Sequence, residues 1–314
     1  MKNKRCLYCY QLLKDSESDF HTSCSKKIFD TPVQPELPYS ETQLSELATK
    51  IIRSQFAVTG AQPKLSLEIE KNFGTHGRFT IVGLWGNYIL KPPTKRFESL
   101  PEIEDLTMHL AELCSIATVP HSLIRFNSGK LAYITKRVDR VKGMKIHMED
   151  MCQLTERLTE HKYYGSYEQI GKTILTFSQN PGLDLINFFE QVLFSFLTGN
   201  ADMHLKNFSL INWPEIGYSL SPAYDHVATV LVMPEDIEDL ALTLNGKKGK
   251  IKRNDFQEAL NKFDLSERAK ENIFKKFETI LPNWKKMISI SFLSEERKAK
   301  YMDLLEERWK RIFS

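Results

Sequence analysis

The stretch GNADMHLKNFSL, residues 199–210, sets Asn200, Asp202, His204, Lys206 and Asn207 within eight positions, directly after the apolar run EQVLFSFLT. Side chains of these types can ligate a metal, activate water, take a hydroxyl proton or simply solvate a turn. Metal binding by His204 with Asp202 is poorly supported: two ligands at i and i+2 are few, and no His-Glu-x-x-His helix occurs. A serine hydrolase would need a Gly-x-Ser-x-Gly elbow, and the chain has none. Phosphoryl transfer and a polar helix-terminal turn remain open.

Asp202 and Asn207 are spaced Asp-x-x-x-x-Asn. That spacing suits a loop in which a carboxylate faces an acceptor hydroxyl while an amide oxygen turns back toward Mg²⁺. On these two residues alone the polar turn is an equal reading. A second acid follows in SLSPAYDHVAT, where Asp225 comes after a strand-like run and a Ser-Pro turn. It reads as a second metal carboxylate or as a helix cap. NYILKPP ends a strand on Lys91, which can reach phosphates if an acid on the next helix, Glu104 or Glu102, steadies it. The alternative is a solvated edge-strand lysine. FAVTGAQPKLSL offers Gly60, a tight turn and Lys64 ahead of a strand, a weak nucleotide fingerprint taken alone.

A separate constellation lies at the N-terminus: Cys6-x₂-Cys9-x₁₁-His21-x₂-Cys24. Two ligand pairs across a short loop suit a tetrahedral Zn²⁺ stapling a module too small to fold alone. Reduced cysteines packed as small hydrophobes are the competing reading.

The elements that must position these groups fall into a pattern. Residues 1–30 form the Cys-rich module, and TPVQPELPYS (31–40) reads as a linker. Ser40 can cap a helix with Leu44, Leu47, Ala48 and Ile51 on one stripe. Strands are expected at 65–70, 79–86, 87–91, 123–126 and 131–140, with a helix at 102–115 and a turn at Asn127-Ser128-Gly129. From about 148 the apolar spacing turns helical, at 166–179, 184–199, 254–263, 266–281 and 294–312. The fold class is α+β: a small mixed α/β part, 31–140, and a larger helical part, 141–314, with a ligand expected in a cleft between them.

The bulk numbers fit a soluble globular chain. Of 314 residues 41% are hydrophobic and 26% charged, and the net charge of +3 does not itself call for nucleic acid or membrane. Apolar runs are too short to span a bilayer, and the basic N-terminus lacks a signal-peptide core, so a cytoplasmic location is expected. Five cysteines, an odd number, argue against a disulfide framework.

LTGNADMHLKNFSL, LSPAYDHVAT, FAVTGAQPK, YITKRVDR and HMEDMCQLT together resemble the HipA-type serine/threonine kinases, toxins of bacterial toxin–antitoxin systems, from about residue 45 to the C-terminus. The resemblance implies a two-lobed, protein-kinase-like fold that binds ATP and Mg²⁺. It implies Asp202 as catalytic base, and Asn207 and Asp225 as magnesium ligands. Lys91 would contact phosphates with Glu104 beside it. The backbone of Lys136 and Val138 would meet adenine, and Gly60, Gln62, Lys64, His204 and Lys206 would complete the ATP site. The chain is similar to the short HipT-type kinases, which imply antitoxins of HipB and HipS type, DNA contact only through the antitoxin, and an aminoacyl-tRNA synthetase (tryptophanyl or glutamyl) as the protein substrate. Where the family has an autophosphorylated serine this sequence has Ala57, with Ser54 the first substitute and Thr59 and Ser66 the other nearby hydroxyls. Two other classes are carried: a catalytically silent kinase-like protein in an antitoxin–DNA complex, and a small-molecule kinase.

Overall fold

The alternation of LSLEIE builds the first strand. Leu65 and Leu67 are fully buried while Ser66 and Glu68 stay half-buried, as a pleat with one covered face requires. The computed structural model describes residues 4–44, 46–47, 64–71, 77–83, 85–141, 143–235 and 237–314. Strands β1 (Leu65–Glu70), β2 (Arg78–Ile81), β3 (Tyr88–Lys91), β4 (His121–Arg125) and β5 (Leu131–Lys136) form one antiparallel sheet in the order β2-β1-β3-β5-β4. The run expected at 79–86 is shorter than its pattern, and the strand expected over 131–140 stops at Lys136. The turn at 127–129 is present, with Gly129 at φ 92°. Ser40 caps a helical stretch at 41–44 and 46–47: the Gln43 amide donates to Ser40 Oγ and the Ser40 amide to Gln43 Oε1.

The chain divides into two compact units. The first holds the five-stranded sheet, residues 1–105 and 119–138 with 290–292; the second holds 106–118, 139–289 and 293–314. The helix expected at 102–115 runs Leu100–Leu113 (α2). Its first turns, with Glu104, belong to the sheet unit.

In the sheet unit the N-terminal residues are not an appendage. Helix α1 (Thr22–Phe29) places Phe29 against Phe79, ring centroids 5.7 Å apart, and Phe79 meets Tyr88 at 5.5 Å. Edge-to-face aromatic pairs of this kind add to plain area burial. Tyr88 also donates its hydroxyl to the Ile28 carbonyl.

The second unit is helical, as its spacing indicates. Helices α4 (Tyr167–Phe177) and α5 (Pro181–Thr198) are followed by α6 (Arg253–Asn261), α7 (Glu267–Glu278), α8 (Leu281–Ile290) and α9 (Glu295–Phe313); a short α3 (Met151–Leu154) precedes them. Ser166, Ser266 and Ser294 each accept an N3 amide, the standard N-cap bond. Helix α8 was not expected: Pro282 and the polar LPNWKK break the apolar period, yet Trp284 is fully buried and donates to the Leu110 carbonyl. The short strands β6 (Arg140–Val141) and β7 (Met144–Lys145) pair with each other, and a small sheet, β8 (Met148–Asp150) with the hairpin β9 (Ser209–Trp213) and β10 (Gly217–Leu220), carries the chain past the polar stretch. No described helix is long and apolar enough to cross a membrane.

Candidate functional site

The polar stretch begins where α5 is forced to stop. Gly199 sits at φ 68°, its amide bonded to the Phe196 carbonyl, and the Asn200 amide bonds to Ser195. That pair of bonds is a Schellman motif. The left-handed conformation favours glycine, and a side chain at 199 would also push on Leu304 Cδ2, 2.7 Å away.

Beyond it the loop is held by its own polar atoms. Fully buried Asn200 accepts the Asp202 amide at 3.1 Å. Thr229 Oγ1 accepts the Ala201 amide, Tyr167 donates to the Met203 carbonyl, and Tyr224 donates to the Lys206 carbonyl. The Leu205–Asn207 residues form a single 3₁₀ turn. Asn207, buried, donates its Nδ2 to the Asp202 carbonyl at 2.9 Å, which fixes its Oδ1 as the outward, accepting end of the amide. Asp202 Oδ1 accepts the Tyr163 hydroxyl at 2.5 Å, a hydrogen bond to the charged carboxylate that orients it.

His204 is buried, and burial pushes its imidazole down to about 4. It is therefore neutral near pH 7; its ring packs edge-on against Tyr163 at 5.0 Å and its backbone links Asp202 and Asn207. Lys206 pairs with Asp150 at 2.6 Å. Asp150 in turn caps α3 through a reciprocal bond set with Gln153. Asp225 lies beyond β10, after Ser221-Pro222-Ala223-Tyr224, and adopts a left-handed backbone, φ 57°. For a residue other than glycine that conformation costs about 1–2 kcal/mol, and such strain collects where geometry is set by function. Buried His226 and the Tyr224–Ser209 bond hold the backbone on either side of it.

In the sheet unit Lys91 ends β3 and forms an ion pair with Glu104 of α2; neither side chain is more than 3% exposed. The ammonium also lies 5.2 Å from the Tyr133 ring centroid. Glu102 lies in the first turn of α2, and the ion pair of Lys91 is made with Glu104 in the next. Lys64 is exposed just before β1. Lys136 gives its amide to the Pro120 carbonyl and its ammonium to Asp30 at 2.5 Å, so only its carbonyl side is left for a base. Val138 follows in a half-buried turn. Gly60, Gln62, Ser54, Ala57 and Thr59 lie outside the described residues, while Ser66 lies in β1, where its Oγ accepts the Gly86 amide.

Cys6, Cys9, His21 and Cys24 form one cluster, their ligand atoms all within 4.8 Å of one another. None is in a disulfide. The Cys9 thiol beside Cys6 holds the Cys6 thiol down to about 5 and is itself pushed up.

The positioning residues Tyr163, Tyr167, Tyr224 and Thr229 were not singled out from sequence. For Asp150 a signal existed, the Asp-x-x-Gln capping spacing in MEDMCQ. The amide oxygen of Asn207 and the carboxylate of Asp225 are each hard donors, of the kind that suits Mg²⁺ rather than a softer ion. Lys91 supplies a buried cation of the kind that meets phosphate.

Comparison with known proteins gives the family and the fold. Residues 56–284 match the family model of the HipA-like C-terminal domain. A protein of Haemophilus influenzae assigned to the kinases by name alone is 31% identical over 223 residues, covering 67% of this chain and 63% of that protein. The serine/threonine-protein kinase toxin HipA of Shewanella oneidensis is 27% identical over 214 residues, covering 62% of this chain and 47% of the toxin. The chain thus spans less than two thirds of the length of these relatives. Among solved structures, HipA of Shewanella oneidensis MR-1, in complex with HipB and operator DNA, superposes with a TM-score of 0.66 at 21% identity, covering 82% of this chain and 65% of that one. The Helicobacter pylori proinflammatory kinase CtkA gives 0.54 at 16% identity, covering 78% and 93%. At these identities the superpositions speak for the fold alone.

Proposed function

The chain belongs to the HipA-like C-terminal domain family, and from that premise we propose that it is an ATP- and Mg²⁺-dependent protein serine/threonine kinase, the toxin of a toxin–antitoxin system. The observation that carries this reading is the bond from Asn207 Nδ2 to the Asp202 carbonyl. It presents a carboxylate and an amide oxygen from one short, rigid turn, and Asp225 follows after the hairpin. A polar solvated turn would not need its amides and carbonyls held by buried Thr229 and Tyr167.

Bound MgATP would supply the γ-phosphoryl group. Asp202 accepts the proton of the attacking serine or threonine hydroxyl, oriented by Tyr163. Asn207 Oδ1 and the Asp225 carboxylate would hold the metal. Lys91, steadied by Glu104, meets phosphate oxygens, with Lys64, Gly60 and Gln62 ahead of β1 completing that side. Lys136 and Val138 offer backbone to the adenine. His204 braces the loop as a neutral ring, and Lys206 meets phosphate only by leaving Asp150. Ser54 is the candidate for autophosphorylation in place of Ala57. The reading extends to the short HipT type, with antitoxins of HipB and HipS type as partners, a cytoplasmic location, and an aminoacyl-tRNA synthetase, tryptophanyl or glutamyl, as substrate.

The test is transfer of labelled phosphate from ATP to purified tryptophanyl and glutamyl synthetases. Asp202→Gln should lower transfer about 10³-fold, the scale of a lost general base. Transfer at the wild-type rate by this variant would sink the base assignment. One observation favours a catalytically silent binding protein instead: Asp202 Oδ1 is already engaged by Tyr163. ATP binding, seen as a Mg²⁺-dependent rise in melting temperature, with no transfer to any synthetase would support that second reading.

A further inference from the structure

The phosphoryl-transfer reading leaves the N-terminal Cys/His cluster unused. Its two halves are built differently. Cys6 and Cys9 sit on a tight turn: the Tyr10 amide bonds back to the Cys6 carbonyl, the Cys6 amide to Gln11, and Arg5 bridges Leu12. Tyr10 closes that turn at φ 62°. His21 and Cys24 sit at the start of α1, His21 as its N-cap, where the helix dipole favours anionic sulfur.

The distances match a metal site better than a chance packing of thiols. His21 Nδ1 lies 3.4 Å from Cys9 Sγ and 3.7 Å from Cys24 Sγ. Ligands of a tetrahedral zinc site with ordinary bond lengths stand about 3.5–3.8 Å apart. The orientation of His21 decides the chemistry. Its Nε2 lies 3.0 Å from the Leu12 carbonyl. A carbonyl can only accept, so Nε2 carries the hydrogen, and in the neutral ring Nδ1 turns its lone pair toward the three sulfurs. An outer hydrogen bond of this kind is what fixes the tautomer of metal-binding histidines.

What the cluster holds in place is also visible. Leu7, one residue past Cys6, takes the Leu123 amide and the Ser122 hydroxyl of β4 on its carbonyl. Tyr10, one residue past Cys9, donates its hydroxyl to Asp105 Oδ2 at 2.7 Å, and Asp105 Oδ1 meets His121 Nδ1 at 2.7 Å. Asp105 is the neighbour of Glu104 on α2.

We propose that Cys6, Cys9, His21 and Cys24 bind one Zn²⁺, and that the ion acts as a structural clamp holding Tyr10 on Asp105 and thereby the turn of α2 that carries Glu104. The metal assignment and the clamp both stand apart from the kinase reading.

The experiment uses the full chain. Elemental analysis of the purified protein should give one zinc per chain, lost in Cys6→Ser and retained in Cys114→Ser. Co²⁺ exchanged into the site should give intense thiolate charge-transfer and tetrahedral bands. The variant His21→Cys should keep the metal and shift those bands, which tests the site even where Cys6→Ser does not fold. Wild-type protein with no zinc, no cobalt spectrum and no rise in melting temperature when zinc is added after chelation overturns the site. So does equal loss of zinc in Cys114→Ser. The clamp is read separately: chelation, or Tyr10→Phe with zinc retained, should speed amide exchange at residues 100–105. Unchanged exchange there overturns the clamp, whatever the metal content.

Discussion

Lys91 and Glu104 meet in the sheet unit with 3% and 0% of their side chains exposed; in the helical unit Asp239, 6% exposed, is gripped by Arg308 and Arg311. Both are buried charges, and both cost desolvation that only close partners offset. Their partners differ in kind. Asp239 also takes the Ile251 amide at 2.9 Å, and the two guanidinium groups each lie 5.0 Å from the Phe196 ring. That arrangement saturates the acid and ties α9 to the segment before α6. Lysine is a single point charge on a flexible stem, able to turn to another anion, whereas an arginine fork on a carboxylate is a fixed fitting. Burial of charge therefore marks a costly place without saying what the place is for; the residue types say that.

The largest effect is expected at the staple. Asp239→Asn leaves buried Arg308 without its carboxylate and should lower unfolding stability by about 3–5 kcal/mol, measured by urea denaturation, with transfer per folded molecule unchanged. A loss of transfer in the folded fraction would make the two pairs alike. The same acid sets a pH dependence. Burial alone would raise its carboxyl, but Arg311 and Arg308 hold it below its ordinary 3.8. Its stabilising contribution is then complete above that value and is lost as pH falls through the lower folded-state value, so Asp239→Asn should flatten the acid limb of the melting curve.

Next in size is Lys91→Met, expected to lose about 3 kcal/mol because buried Glu104 loses the ammonium that offsets its charge, and to abolish transfer. The double variant Lys91→Met/Glu104→Leu should regain most of the stability and none of the transfer. Recovery of both would reduce this pair to a staple like the other. The smallest effect is expected at Tyr163→Phe: about a 10-fold fall in kcat, or 1.4 kcal/mol, with little change in melting temperature. A rise in kcat would mean that the hydroxyl blocks Asp202 rather than orienting it.

Residues close in sequence were the legible ones. Asp202 and Asn207 are joined through one turn, and Gly199 ends the helix before them by a local rule of backbone sterics. Cys6, Cys9, His21 and Cys24 likewise declare themselves by spacing. Helices α4 to α7 and α9 follow their apolar period, and α4, α7 and α9 also their serine caps. The pairing of Lys91 with Glu104 was partly legible, since a strand-end lysine followed by a helix acid is a local pattern, but Glu102 was an equal candidate by spacing. Helix α8 escaped because the burial of Trp284 is decided at long range, by its bond to Leu110, 174 positions away, and by the Phe194 ring.

The sequence by itself determined where the chain turns, which strands alternate, and which polar side chains are crowded into one loop, because these depend on neighbours a few bonds away. Tertiary structure alone decided the partners that lie far along the chain. Tyr163 on Asp202, Asp150 on Lys206, Tyr10 on Asp105 and Asp239 between two arginines each join residues 39 or more positions apart. A buried hydrogen bond or ion pair is chosen by the need to satisfy a desolvated atom with whatever the fold brings near it, and no local pattern encodes that choice.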